Sequence, residues 1–286
     1  MRSIVSTFVV LFAILSASHC AGSDESGLLQ TILVSSANAI GCESARSDMN
    51  SLLSWGAPQQ DFEACQIPIT SATTKQDILE AIRHLRITPT TTFVFYYAGH
   101  GQLMPDGRHQ LILDSTEPDC VLDRSELLDA IAKKKPRLAI VITDCCSEVA
   151  TKPPKRGKFV FDKALFHDLF LQPTGLVDLT SAEFHRDKST NQYAGMTAWT
   201  DASGPVFTNA LLDLLNDPQT RQRLLEKGEP ATWKSFMTPL MSQTDERYRI
   251  LRQSVETDTH IFPAIAKSLQ AEIHSQQHQL PMLISH

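Results

Sequence analysis

Two apolar runs near the middle of the chain constrain its fold more than any other feature. Residues 93–97 (FVFYY) and 138–142 (LAIVI) are strongly apolar, and neither alternates with polar residues as a half-exposed strand would. Strands that are apolar on both faces are typical of a parallel sheet covered by helices on both sides. The two runs therefore predict two strands of a buried sheet.

Helical periodicity alternates with strand-like runs along the rest of the chain. Further strands are expected at residues 31–34, 62–69, 110–113 and 176–179. Helices are expected around residues 45–56, 76–85, 126–135, 207–215 and 233–241. Thr73 with Gln76 is expected to form the capping box of the second helix, and Pro136 to end the third. This alternation predicts an α/β layered sheet with helices on both faces.

The composition excludes several classes of protein. The 286 residues are 42% hydrophobic and 20% charged, which is typical of a globular protein of one or two domains. The formal net charge of −6 leaves no broad basic face, so we expect no nucleic-acid partner. The sequence has no G-x-G-x-x-G, P-loop or H-E-x-x-H motif. A cysteine phosphatase is disfavoured because no Arg stands six positions after Cys145 or Cys146.

The N-terminus predicts an export signal. Arg2 precedes the apolar segment 4–17, and small residues follow it. A charged start, a short apolar core and a small-residue exit are typical of a secretory signal peptide, and the core is shorter than the roughly 20 residues of a membrane span. We expect residues 1–22 to be removed by cleavage between Cys20 and Ser23, with a lipoprotein signal ending at Cys20 as the alternative. The mature protein is then periplasmic or secreted, with no membrane anchor.

Removal of the signal leaves an odd number of cysteines, so at least one thiol has no intrachain partner. The five are Cys42, Cys65, Cys120, Cys145 and Cys146. Adjacent cysteines are poorly placed to bond each other. A Cys42–Cys65 bridge is the pairing we consider, although sequence alone does not establish it.

Both buried runs end abruptly in reactive side chains. The first continues into residues 98–101 (AGHG) and the second into residues 143–147 (TDCCS). The carboxyl ends of parallel strands meet at one edge of a sheet, so His100 and a cysteine can approach each other there. A thiol needs a neighbouring base or cation, because its thiolate form is the strong nucleophile. The backbone amides of Gly101 and Cys146 are candidate donors to an oxyanion hole.

These segments resemble those of the caspase-like cysteine peptidases (peptidase C14 family). In that family a hydrophobic strand ends in His-Gly, and about 50 residues later another ends in a small residue and Cys. Here Cys146 lies 46 residues after His100. Residues 97–101 (YAGHG) and 144–147 (DCCS) look most like the metacaspase and bacterial caspase-homologue branch. The resemblance implies one peptidase domain over residues 27–286, an α/β fold built as a caspase-like three-layer αβα sandwich with a mostly parallel central sheet.

The resemblance also implies an activity. It is that of a thiol endopeptidase acting on polypeptides through a dyad of His100 and Cys146, without a third orienting residue. Cys145 is the alternative nucleophile, on the opposite side of the strand. An inactive caspase-like domain that serves as a binding or scaffold module is the alternative from another functional class. We expect a monomer without a cofactor, and no compact oxygen-rich loop indicates a need for calcium.

Substrate preference is expected to depend on an acidic residue beside the nucleophile. Asp144 shares the strand parity of Cys146, which predicts a side chain at the mouth of the pocket. The resemblance implies that a carboxylate at this position receives a basic side chain, so we expect cleavage after Arg or Lys rather than Asp. Ala45 replaces an acidic residue common in the family's first loop, and nearby Glu43 is a second candidate acid. Two more acids and an opposing cation lie in a late loop: Glu183, Asp187 and Arg186.

A long basic segment follows the nucleophile, and Ser147 stands where metacaspases usually have His. Residues 147–158 contain two prolines and four cations, and loops of this kind are exposed. Related peptidases often process this region, so the candidate autocleavage sites are Lys155, Arg156 and Lys158. His274 and His278 are four residues apart but lack a third ligand in reach, so no metal site is expected.

Overall fold

The computed structural model describes the greater part of the chain. The described residues are 28–36, 41–57, 61–104, 106–147, 161–181, 184–186, 193–195, 198–201, 204–226, 231–257 and 282–284. At 145–147 the description is of the backbone. The expected signal peptide (residues 1–22) and the basic segment after residue 147 lie outside these ranges.

Strands and helices alternate through the described residues as the sequence predicts. The strands are β1 (Leu29–Ser36), β2 (Phe62–Ile69), β3 (Thr92–Leu103), β4 (His109–Ile112), β5 (Val121–Asp123), β6 (Leu138–Ser147), β7 (Gly175–Thr180), β8 (Phe184–Arg186), β9 (Tyr193–Gly195), β10 (Ala198–Asp201), β11 (Gly204–Pro205) and β12 (Met282–Ile284). The helices are α1 (Cys42–Gly56), α2 (Lys75–His84), α3 (Arg124–Lys134), α4 (Lys163–Phe166), α5 (Val206–Asn216), α6 (Gln219–Glu226) and α7 (Trp233–Thr257).

The main sheet is mostly parallel, which confirms the predicted fold class. Its neighbouring strands β2, β1, β3, β6 and β7 all run in the same direction, and β12 closes the far side antiparallel to β7. Beyond the end of β7, β10 takes the place beside β6. Strand β3 continues past the sheet into an antiparallel hairpin with β4, which also pairs with β5.

Side chains of successive strand residues enter two separate cores, one on each face of the sheet. Tyr96 and Ile140 lie in the core shared with α1, α5 and α7. Phe95 and Val141 lie in the opposite core, with α2 and α3. Because neighbouring residues of a strand point to opposite faces, this alternation produces three layers, and it confirms the αβα sandwich. Arg124 of α3 forms a buried ion pair with Asp178 of β7, which fastens the second helical layer to the sheet.

Three local features differ from the sequence-based expectations. The capping box is formed by Thr74 and Asp77, one residue later than expected, while Thr73 accepts a hydrogen bond from the Thr70 amide. Helix α7 extends to Thr257. No disulfide joins Cys42 and Cys65, because Cys42 lies in the α1 core and Cys65 packs against the opposite core. Of the helices that the structure describes, none is long and apolar enough to cross a membrane.

Candidate active site

The structure places His100 and Cys146 side by side at the carboxyl edge of the sheet. The last register pair of β3 and β6 is Gly99 with Cys145, and His100 and Cys146 are the next residue on each strand. Neighbouring strands lie about 4.8 Å apart. The register therefore carries the backbones of His100 and Cys146 to the same edge of the sheet.

His100 stands where β3 exchanges one neighbour for another. It is the first β3 residue to pair with β4, opposite Ile112, and its side chain is half-buried. Pairing then continues through Gly101 with Leu111. Before His100 the strand is paired with β1 on one side and β6 on the other, and from His100 onward it is paired with β4.

The hairpin leaves the amide of Gly101 turned away from β4. Met104 N–H donates to the carbonyl of Arg108 at 2.8 Å, which marks that pair as hydrogen-bonded. Pairs in an antiparallel ladder alternate between hydrogen-bonded and non-hydrogen-bonded types. Counting back by two residues makes His100–Ile112 a hydrogen-bonded pair and Gly101–Leu111 a non-hydrogen-bonded one. The Gly101 N–H is therefore not used within this hairpin.

The same alternation gives the side of β3 to which that amide points. Thr92 N–H donates to the carbonyl of Leu28 at 2.9 Å, so even-numbered amides of β3 face β1 and odd-numbered amides face β6. The amide of Gly101 thus points toward the side on which Cys146 lies. In β6, Leu138 N–H donates toward β3, so the Cys146 amide also faces β3, at the level of the Gly99 carbonyl. Of the two candidate oxyanion donors, the Gly101 amide is the one that points away from the strand it pairs with, β4, whereas the Cys146 amide points toward β3.

A buried tyrosine contacts the backbone on which His100 is carried. The Tyr97 hydroxyl lies 2.6 Å from the His100 carbonyl oxygen and 2.7 Å from that of Ile112. To reach them it passes over Gly99, where an added Cβ would lie 2.7 Å from the Tyr97 hydroxyl oxygen. This close approach explains why a glycine precedes His100. Sequence analysis missed Tyr97, although its position two residues before a glycine on a buried strand is a usable signal.

The strand parity led us to expect Asp144 at the mouth of a pocket, but the structure buries it. Its side chain is 0% exposed, and Oδ2 accepts hydrogen bonds from the Thr208 amide (2.9 Å) and Oγ1 (2.6 Å). The first turn of a helix has unsatisfied amides and a partial positive charge, and Thr208 is the third residue of α5. The parity gave the correct face of the sheet, but it did not predict that α5 covers that face.

Burial raises the pKa of the Asp144 carboxyl to about 6, while the hydrogen bonds from Thr208 oppose the rise. Ser181 is close enough to lower this pKa too, but its hydroxyl makes no hydrogen bond of ordinary geometry within the described residues. The second carboxylate oxygen, Oδ1, is buried and likewise has no hydrogen-bond partner among the residues that the structure describes. Asp144 therefore remains largely ionised at neutral pH, with one oxygen available to a further donor.

Glu43 is paired with an arginine rather than standing alone as an acid. It forms an ion pair with Arg46, and its Oε2 also accepts from Ser35 Oγ at 2.8 Å. Hydrogen bonding with Arg46 is the main cause that lowers the pKa of Glu43. Ser35 pairs with Ala98 in the β1–β3 register, so this group lies near the same edge as His100. The structure does not bring Glu43 into contact with Asp144 among the bonds it describes.

The remaining candidates lie largely outside the described residues. Those outside are the possible autocleavage sites Lys155, Arg156 and Lys158, the late-loop acids Glu183 and Asp187, and the histidines His274 and His278. Arg186 lies in β8, which pairs with β9. Within the described part of the chain, no group of three His, Cys, Asp or Glu side chains is placed to hold a metal ion.

Comparison with known proteins gives a family match over most of the chain. The family model Peptidase_C14, described as a caspase domain, matches residues 35–228, which is more than half of the chain. The matched region contains both strands that carry His100 and Cys146. No curated protein matches the chain.

Proposed function

Because the chain belongs to the caspase-domain family, Peptidase_C14, we propose that it is an active cysteine endopeptidase whose catalytic dyad is His100 and Cys146. The observation that carries the proposal is the strand register, which leaves these two residues adjacent beyond the last pair of β3 and β6. A peptidase domain implies polypeptide substrates.

The mechanism follows from the two side chains and one amide. The Cys146 thiolate attacks the scissile carbonyl carbon, and the electron pair of the C=O bond moves onto oxygen, which accepts a hydrogen bond from Gly101 N–H. The C–N bond then breaks as the His100 imidazolium protonates the leaving amine. His100, now neutral, takes a proton from water, whose oxygen attacks the thioester and releases the acid and the thiolate.

The proposal extends to a preference for Arg or Lys before the cleaved bond. It is supported by the position of Asp144 two residues before Cys146, by its ionisation at neutral pH, and by the buried Oδ1 described above. A guanidinium or ammonium group would supply a charge-assisted hydrogen bond to that oxygen. Since the side chain is 0% exposed, this contact requires the end of β6 and the start of α5 to open around the substrate.

We also propose that the protein is exported. The support is the sequence of residues 1–22, with one cation, a short apolar core and a small-residue exit. The active thiol would then work in an oxidising compartment, where a thiolate is a target for sulfenic acid formation.

The dyad is tested by single alanine substitutions assayed on a peptide library. Cys146→Ala and His100→Ala should each lower cleavage by about a thousandfold or more, because each removes a group that bonds to or protonates the substrate. Cys145→Ala is the matched control, one residue away on the same strand, and should retain most activity. Full activity in Cys146→Ala contradicts the assignment, and loss in Cys145→Ala alone moves the nucleophile by one residue. A wild-type protein that cleaves nothing while still folded indicates the scaffold function instead.

A further inference from the structure

The peptide group between His100 and Gly101 connects two features of the site that were described separately. Its carbonyl belongs to His100 and its N–H to Gly101. Because a trans peptide is planar, the two bonds point in opposite directions. Any contact that fixes the direction of the His100 carbonyl therefore also fixes the direction of the Gly101 amide.

The Tyr97 hydroxyl makes such a contact. It lies 2.6 Å from the His100 carbonyl oxygen, on a side chain that is 0% exposed. It also lies 2.7 Å from the Ile112 carbonyl, and because a phenol has one proton it donates to one of the two at a time. Both carbonyls belong to the hydrogen-bonded pair at which β4 replaces β1 as the neighbour on that side of β3. The hydroxyl thus sits at the point where the strand changes partners.

We infer that Tyr97 is a positioning residue for the oxyanion donor. Its hydroxyl holds the His100 carbonyl on the β1 and β4 side of the strand, and this keeps the Gly101 N–H directed to the β6 side, where the reacting carbonyl must lie. The inference rests on the proposed function, since it concerns the oxyanion of the peptidase reaction. Gly99 contributes to the same arrangement, because a side chain at this position would displace the Tyr97 hydroxyl.

The expected effect of losing the hydroxyl is moderate. Tyr97→Phe keeps the ring over Gly99, and the ladder bonds of the His100–Ile112 pair remain, so the peptide is loosened rather than released. The oxyanion forms after the substrate has bound, so kcat should fall about three- to tenfold while KM changes less than about twofold.

Inhibitors separate this effect from a general loss of structure. The Cys146 thiolate adds to the carbonyl carbon of a peptide aldehyde. The carbonyl oxygen then carries the negative charge and occupies the oxyanion site. The Ki of the aldehyde should rise about as much as kcat falls in Tyr97→Phe, whereas the affinity of the matching peptide acid should not change. Thr92→Val is the matched control, because it removes a buried hydroxyl from the opposite end of the same strand, one that donates to the Phe170 carbonyl at 3.1 Å. It should leave kcat and both affinities unchanged.

A second variant tests the same contact without removing the hydroxyl. Gly99→Ala places a methyl group 2.7 Å from the hydroxyl oxygen, and should lower kcat and aldehyde affinity together at least as much as Tyr97→Phe. The inference is overturned if folded Tyr97→Phe and Gly99→Ala proteins keep the wild-type kcat and aldehyde Ki, or if Thr92→Val changes them equally. An inactive wild-type protein, recognised by its equality with Cys146→Ala, overturns the proposed function and this inference with it.

Discussion

Oδ2 of Asp144 accepts two hydrogen bonds from Thr208, one from its amide at 2.9 Å and one from Oγ1 at 2.6 Å. The contact joins the strand that leads to Cys146 to the first turn of α5. Tyr96 extends it, since its hydroxyl lies 2.9 Å from Thr208 Oγ1. The end of the strand that leads to Cys146 is therefore fixed by a buried carboxyl group whose ionisation has an energetic cost.

Asp144→Asn should change how stability depends on pH. Burial raises the pKa of this carboxyl from 3.8 to about 6, so the folded protein holds the proton more tightly than the unfolded chain. Its contribution to stability is fully present below pH 4 and is lost as the pH rises through 6. The Asn amide oxygen can still accept both Thr208 bonds without that cost. Between pH 4 and 7, Asp144→Asn should gain up to about 3 kcal/mol in free energy of unfolding relative to its parent.

Urea unfolding at a series of pH values measures this difference, with Cys146→Ala as the parent to prevent self-digestion. Thr208→Val is the comparison variant, because losing its hydroxyl bond should raise the pKa of Asp144 further. A difference between Asp144→Asn and its parent that stays constant with pH would show that the carboxyl titrates normally in the fold.

Substrate preference should follow the charge of the same residue. Fluorogenic peptides that differ in the residue before the cleaved bond should be cut after Arg or Lys and resist cleavage after Asp. Asp144→Asn should lower kcat/KM for the Arg peptide by about tenfold or more, as expected for loss of a charge-assisted hydrogen bond. Glu43→Gln should have a smaller effect, because Arg46 already pairs with Glu43. Cleavage after Asp, or full Arg activity in Asp144→Asn, would refute this preference.

The basic segment after the nucleophile should be cut by the enzyme itself. Intact-mass measurement of purified wild-type protein should find two fragments of roughly equal size, with cleavage after Lys155, Arg156 or Lys158. The Cys146→Ala chain should remain whole, and alanine at the three basic positions should slow processing. Identical nicking of wild type and Cys146→Ala would assign the cut to another protease.

Breaking the ion pair between Arg124 and Asp178 should destabilise the fold strongly. Arg124 Nη1 donates to Asp178 Oδ2 at 2.7 Å, and the two side chains are 5% and 0% exposed. Arg124→Met leaves a buried carboxylate without this partner, so we expect a loss of about 3–5 kcal/mol in free energy of unfolding. The double variant Arg124→Met/Asp178→Asn should recover part of that loss. An Arg124→Met protein as stable as wild type would mean that the pair contributes little.

Export should remove the N-terminal segment. When the full chain is produced in a host with a secretory pathway, the N-terminal residue of the exported protein should lie between Ala21 and Ser23. Deletion of residues 1–22 should leave the protein inside the cell. Recovery of an exported protein that retains Met1 would contradict the prediction.

Much of the architecture was predictable because burial on both faces leaves a clear signal in sequence. Residues 93–97 and 138–142 have no polar face, which specifies central strands, and their ends bring His100 and Cys146 to one edge. The short strands β8 to β11 were missed because two to four residues carry no usable periodicity. The cap of α2 was misplaced by one residue because Thr73 and Thr74 are equally suitable N-cap types.

The burial of individual side chains, and the side of the sheet that each helix covers, were less predictable than the strand register. Parity places Asp144 on the same face as Ile142, but the helix that covers this position comes more than 60 residues later in the chain. The same problem affected Cys42 and Cys65, because periodicity shows that a helix has an apolar face without showing which side of the sheet it covers. Tyr97 was overlooked because an aromatic residue on a buried strand is assigned to the hydrophobic core unless the hydrogen-bond partners of its hydroxyl are known.

The order of strands decides what the predicted cut after Cys146 would separate. Strands β1 to β6 all precede residue 148, whereas β7, β10 and β12 all follow residue 160, so within the sheet the two stretches of chain meet along β6. A cut between them breaks one peptide bond but disrupts no strand pairing. Six consecutive residues of β6 stay in register with β7. After such a cut the two parts of the chain should therefore stay together as a complex, held by strand pairing and by the shared core.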